Sequence, residues 1–178
     1  METTIDDPHA AARISRALGG SFDGRPVVFA CIGTDRSTGD AFGPLVGERL
    51  SGLGAEVIGT LEQPLHALNL SYRLSEVPLR DPQPLIVAVD AALGPKERVG
   101  CIAVRERGIV PGRAIGKELG TVGDVSITAT VNVASDRDCE RVLQSTRLFF
   151  VAGVARIVAT ACRYALEDER PRPAPAAA

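Results

Sequence analysis

Apolar side chains fill almost every position of 27–32 (VVFACI) and 85–89 (LIVAV). Such β-branched runs without alternation suit strands buried on both faces of a parallel sheet. The segment 125–133 (VSITATVNV) alternates instead and is the clearest strand by propensity. Shorter strands are predicted at 55–58 and 99–104, the second suited to an antiparallel edge. Between these runs the period becomes helical. Phe42, Leu45, Val46 and Leu50 share one face of a helix over 42–53, with Pro44 in its first turn and Asp40 where an N-cap belongs. A helix over 10–18 starts near Asp7 and Pro8 and stops at Gly19 and Gly20. Pro64, His66, Leu68, Leu70 and Leu74 predict another within 60–75, and a long helical pattern covers 136–166 with a break near Ser145 and Thr146.

Strands alternating with helices predict a three-layer α/β/α fold with a mainly parallel sheet of about five strands, 27–32 and 85–89 being its adjacent central pair. Residues 1–169 form a single α/β domain in this reading. The connection 78–84 is stiffened by Pro78, Pro82 and Pro84. The glycine-rich stretch 105–123 is expected to be a long irregular excursion, able to close over a peptide or to serve as a plain surface loop. The terminal RPRPAPAAA, 170–178, is expected to be disordered.

Composition narrows the function classes. The chain has 178 residues, 45% of them hydrophobic, and a net charge of -2, which excludes a disordered chain and disfavours general nucleic-acid binding. Cys31, Cys101, Cys139 and Cys162 lie apart in apolar segments without zinc spacing, and read as reduced core residues of a cytoplasmic protein. The polar start METTIDDPHA carries no secretory pattern, and no apolar run is expected to span a membrane.

The chemistry gathers where 27–32 gives way to a helix, in CIGTDRSTGDAFGP, residues 31–44. Two apolar strands lead into acidic residues, the first towards Asp40 and the second ending on Asp90 in VAVDAALG. Neighbouring parallel strands lie roughly 5 Å apart, so carboxylates just past their ends can face each other. Such a pair resists joint ionisation, holds one proton between its members, and so offers a base and an acid together. It could equally hold a divalent metal. Alone, Asp40 reads as a helix cap and Asp90 as a turn residue. Thr34, Asp35, Gly39, His66 and Gly94 are the supporting or substrate-binding candidates around the pair. His66 could carry protons or be a third ligand, or simply bond a nearby carbonyl. Asp35 and Arg36 suit an ion pair within the loop, and Asp124 and Asn132 suit turns.

A phosphate-binding loop does not fit. Gly33 and Gly39 enclose five residues and are followed by Asp40 rather than lysine. Asp35 and Asp40 would repel a phosphate at the helix end that should attract it.

The segments IGTDRSTGDAFGPLVG, GTLEQPLHALNL, IVAVDAALG, GIVPGRAIGKELGTVGDVSI and STRL together resemble the YyaC-type sporulation proteins. That family is similar in turn to the spore germination protease and, more distantly, to hydrogenase-maturation endopeptidases. The resemblance covers about 26–166. In the germination protease, PDALGP and IDAL segments supply the catalytic aspartates, and the matching positions here are Asp40 in GDAFGP and Asp90 in VDAAL. Gly108, Pro111, Gly112, Gly116, Glu118 and Leu119 echo a further motif of the family. Two departures stand out. The germination protease is about twice as long, and the maturation endopeptidases bind nickel with a histidine downstream of the second aspartate. This chain has only His9 and His66.

The resemblance implies a spore-associated endopeptidase that hydrolyses a specific protein with the Asp40 and Asp90 pair, with a divalent metal or none. It implies action in the cytoplasm, in the forespore or spore core. The alternative is a non-catalytic relative that binds a protein partner during sporulation. Small residues along 152–161 would also allow close packing against the sheet or against a second copy.

Overall fold

A computed structural model describes residues 1–78, 81–111, 120–135 and 137–169. The expectations for the terminal tail and for 112–119, which include Gly112, Gly116, Glu118 and Leu119, lie outside the described residues. The elements run in the order β1 (Glu2–Thr4), α1 (Ala10–Phe22), β2 (Val27–Cys31), α2 (Phe42–Leu50), β3 (Glu56–Ile58), α3 (Leu70–Ser75), β4 (Leu85–Gly94), β5 (Cys101–Arg105), β6 (Val125–Val133), α4 (Cys139–Gln144) and α5 (Leu148–Asp168). One six-stranded sheet has the order β1-β5-β6-β4-β2-β3. β3, β2, β4 and β6 are parallel, whereas β5 runs antiparallel to β6 and β1 antiparallel to β5. The fold is the expected helix-flanked, mainly parallel sheet, and β2 and β4 are neighbours, with Cys31 opposite Val89.

Alternation along the central strands divides the interior in two. Phe29, Cys31, Leu85, Val87 and Val89 face one cluster, built with Ile14, Leu18 and Phe22 of α1, Phe42, Val46 and Leu50 of α2, and Val151, Val154, Val158 and Cys162 of α5. Val28, Ala30 and Ala88 face the other, a smaller cluster closed by Ile58, Leu65, Leu70 and Val122. Among the described residues, the cover on that side is the short α3, the segment leading into it, and a bridge between Ile109 and Val122.

Several expectations change. The sheet has an extra strand, β1, which covers β5, so the antiparallel strand at 101–105 is not the edge. β1 is fastened by polar contacts rather than apolar ones. The amino terminus donates to the Val104 carbonyl at 2.9 Å, and Glu2 pairs with Arg98 and Arg105, which hold its carboxyl down at about 2. α1 runs through Gly19 and Gly20 because Phe22, one turn beyond Leu18, is buried, and it ends where Asp23 and Gly24 turn left-handed. α2 stops at Leu50. Within 60–75 only Leu70–Ser75 is helical, since Leu65 instead bridges to Ile32 at the end of β2.

The long C-terminal pattern does break at Ser145 and Thr146, and Asp138 caps α4 by accepting from the Arg141 N–H at 3.0 Å. With 21 residues and a mean hydropathy of 1.5, α5 is long and apolar enough to cross a membrane, against the sequence expectation. Alanine and valine raise its average around Arg156, and its small residues Ala155, Ala159, Ala161 and Ala165 are packed into the larger cluster. All four cysteines are free thiols. Cys31 and Cys162 are buried, and burial pushes both thiols up, while Cys101 and Cys139 are only half-buried.

Candidate active site

The loop between β2 and α2 is held by main-chain contact. Gly33 has φ of 142°, and a Cβ there would stand 1.9 Å from the Asp40 carbonyl oxygen. Gly43, in the first turn of α2, lies so close to β2 that its Cβ would be 2.0 Å from the Ile32 carbonyl oxygen. The loop therefore doubles back, and Asp40 is carried over the end of β2. The N-cap of α2 is Ala41 and no side chain caps it, so the capping reading of Asp40 is not what the helix shows.

Asp90 does not end its strand. β4 continues to Gly94 alongside β6, and Asp90 lies opposite Thr128. The valine-rich run ends at Val89, and the following DAALG reads as a turn, although its small residues fit a strand paired on one side. Asp90 is nevertheless at the expected level, because β2 pairs with β4 only as far as Cys31 opposite Val89. By alternation its side chain joins the row of Ile86 and Ala88, on the thinly covered face. Burial pushes the Asp90 carboxyl well above the ordinary carboxylate range, and the negative charge of Asp40 adds to the rise. A hydrogen bond from the Ala91 N–H opposes it. The charge of Asp40 is thus close enough to be felt at Asp90.

The supporting candidates divide. The Thr34 hydroxyl accepts from the Arg36 N–H at 3.3 Å and donates to Asp35 at 3.5 Å, which fixes the exposed tip of the loop. The expected ion pair between Asp35 and Arg36 is not among the described salt bridges; the contacts that tie the two residues run through the Thr34 hydroxyl. Gly39 is a packing contact. Its N–H donates to the Leu143 carbonyl at 2.8 Å, and a Cβ would meet Leu143 and Thr146 at about 3 Å. His66 follows Leu65, whose carbonyl accepts from the Gly33 N–H at 2.8 Å, so it borders the end of β2. Its N–H donates to Asn69 at 2.8 Å, but its imidazole makes no hydrogen bond among the described residues. Gly94 lies four residues beyond Asp90, roughly 13 Å along the strand, and is not beside the pair.

Other groups are structural. Asp124 accepts from the Ile86 N–H at 2.9 Å and faces Arg25 at the opposite edge of the sheet. The Asn132 amide donates to Thr146 and to the Val142 carbonyl, tying β6 to the turn after α4. One neighbour escapes sequence reasoning. Ser37, whose carbonyl accepts from the Ala41 N–H, has a buried hydroxyl without a partner among the described residues, and nothing in STGDAF distinguishes it from an exposed loop serine.

Nickel fits poorly. Among the described residues no three His, Cys, Asp or Glu side chains come together, so Asp40, Asp90 and His66 do not form a ligand set. Two carboxylates without imidazole or thiolate are not what nickel takes.

A family described as "Protein of unknown function (DUF1256)" matches residues 2–161. The chain belongs to that family. It is 39% identical over 159 residues to a protein of Bacillus subtilis (strain 168) described as "Uncharacterized protein YyaC", covering 86% of this chain and 77% of the relative. The YyaC-type resemblance read from the motifs is therefore the family relationship. Among solved structures, the [NiFe] hydrogenase maturation protease HycI from Thermococcus kodakarensis KOD1 superposes with a TM-score of 0.56, at 20% identity, over 85% of this chain and 99% of that one. At that identity the likeness is one of fold. A DUF1256 chain thus has the architecture of a maturation protease, with two aspartates at the level where β2 ends.

Proposed function

We propose that this protein is a peptide-bond hydrolase in which Asp40 and Asp90 activate a water molecule, acting through a single domain over 1–169 on a specific protein in the cytoplasm of a spore-forming cell. The observation that carries the reading is the position of Asp90 one residue past the last pairing of β2 with β4, Cys31 opposite Val89, where the charge of Asp40 adds to the rise of its carboxyl. A maturation-protease fold supports a protein substrate.

Asp90, whose proton is held by burial and by its neighbour's charge, is the acid. Asp40 is the ionised partner and the base. As water attacks the scissile carbonyl carbon, Asp40 takes its proton while Asp90 gives a proton to the carbonyl oxygen. Collapse of the tetrahedral intermediate breaks the C–N bond, returns a proton to Asp90, and passes the one on Asp40 to the leaving amine. Activity should fall as pH rises through the raised pKa of Asp90, because Asp90 then loses the proton it must donate.

The test is incubation of the purified protein with protein extracted from spores, followed by mass-spectrometric identification of cleaved chains. Asp40→Asn and Asp90→Asn should each lower the rate by about a hundredfold or more while the circular dichroism is unchanged. Undiminished cleavage by either variant would end the proposal. Absence of any cleavage by the unmodified chain would favour a protease-like partner-binding protein instead.

A further inference from the structure

The partner strand of β4 ends early. Ile32 makes the last bond from the β2 side, its N–H donating to the Val89 carbonyl at 2.7 Å, and the next N–H, that of Gly33, turns the other way to Leu65. β4 continues to Gly94, and over that stretch it pairs, among the described residues, with β6 alone. Since the Val89 carbonyl faces β2, alternation points the main-chain groups of Ala91 and Leu93 to the same side; the Ala91 N–H is taken by the Asp90 carboxyl, which leaves the Ala91 C=O and the Leu93 N–H and C=O open. The Gly94 carbonyl, which accepts from the Ala134 N–H at 2.7 Å, faces β6 as that alternation requires. Ala91, Ala92, Leu93 and Gly94 are half-buried, whereas Val87, Ala88 and Val89 are fully buried, so water reaches the strand where β2 is missing.

We propose that this open side of β4, at Ala91 and Leu93, is a docking edge for an extended peptide segment, which adds to the sheet as a strand in the lane that β2 vacates and so passes Asp90. A row of alternating donors and acceptors at strand spacing is complementary to another extended main chain. The small side chains of Ala91, Ala92 and Gly94 leave room for that chain to approach. The class of ligand rests on the hydrolase reading above, whereas the edge itself does not. The selectivity implied is for unfolded or strand-forming segments, because a helix has its main-chain groups already bonded.

The test begins with amide hydrogen exchange of the full chain. The Leu93 N–H should exchange rapidly, while that of Ala92, committed to β6, should be slow. A short fluorescent peptide of alternating valine and threonine with lysine ends should bind saturably and slow exchange at Leu93 by about tenfold or more. The same peptide N-methylated at every valine and threonine should bind at least about tenfold more weakly. Leu93→Pro, which removes the N–H, should lose binding by a similar factor, and Leu93→Ala should keep it. A slowly exchanging Leu93 in the free protein, binding indifferent to N-methylation, or no binding up to about 1 mM would overturn the proposal. Probe binding without any hydrolysis would spare the edge and count against the hydrolase reading. Hydrolysis with Leu93 unprotected by the probe would do the reverse.

Discussion

The two faces of the sheet are built to different depths. One is sealed by three helices whose side chains, from Ile14 and Phe42 to Val158, interlock with Phe29, Val87 and Ile127. Among the described residues, the other is covered by a six-residue helix and irregular chain resting on Val28, Ala30, Ala88 and a few larger residues. Asp90 belongs to the thin side. The difference separates tasks: the thick layer supplies most of the apolar burial, and so most of the folding free energy, while the thin one can tolerate a half-buried carboxyl and an approaching ligand.

The largest test of this asymmetry is a pair of truncations. Phe42→Ala on the thick side should cost about 3–5 kcal/mol, because helix and sheet cannot close the void together. Leu65→Ala on the thin side, equally buried, should cost roughly 2 kcal/mol, since its irregular cover can settle into the space. An equal or larger loss at Leu65 in urea unfolding would erase the distinction.

The next effect has the opposite sign. The folded state raises the Asp90 pKa, so ionising this carboxyl opposes folding at any pH above its unfolded value. Asp90→Asn should therefore stabilise the protein at pH 7, by at least roughly 2 °C in Tm if the penalty is about 1 kcal/mol. The gain should vanish as pH falls below about 4, where the carboxyl is protonated whether folded or not. A variant that melts lower than the parent at pH 7 would show that the carboxylate is paid back by contacts on the thin side. The smallest effect belongs to the outer surface of that cover. Leu68 is 92% exposed, and Leu68→Ser should change stability by no more than about 0.5 kcal/mol. A larger loss would mean the cover packs more deeply than its exposure indicates.

The thick side was also the more legible in the sequence. Valine-rich β2, the first half of β4, alternating β6 and the long periodicity of α5 all express burial by three helices. The thin side misled. Pro64, His66 and Leu68 extend the helical stripe of Leu70 and Leu74 into a segment that is not helical, where Leu65 makes a strand-like contact to Ile32, a long-range pairing that spacing does not encode. β1 gave no periodic signal because only Thr3 of its three residues is buried and its hold comes from ion pairs. The aspartates of the candidate site were readable from GDAF and VDAAL, and the adjacency of their strands was expected. The continuation of β4 past Asp90 was not, since alanine and glycine carry little strand propensity and their pairing with β6 is a tertiary fact.

The close approach at Gly43 has a consequence for how the protein can change. With Ile32 and α2 meeting main chain to main chain, the backbone at Asp40 is placed by packing of main chain on main chain and not by the fit of rotamers. Loop residues such as Asp35 and Arg36, exposed and without ties to the core, are free to be rewritten around that fixed seam. The scaffold therefore lets the exposed loop surface vary by local substitution, with the spacing of Asp40 and Asp90 inherited unchanged.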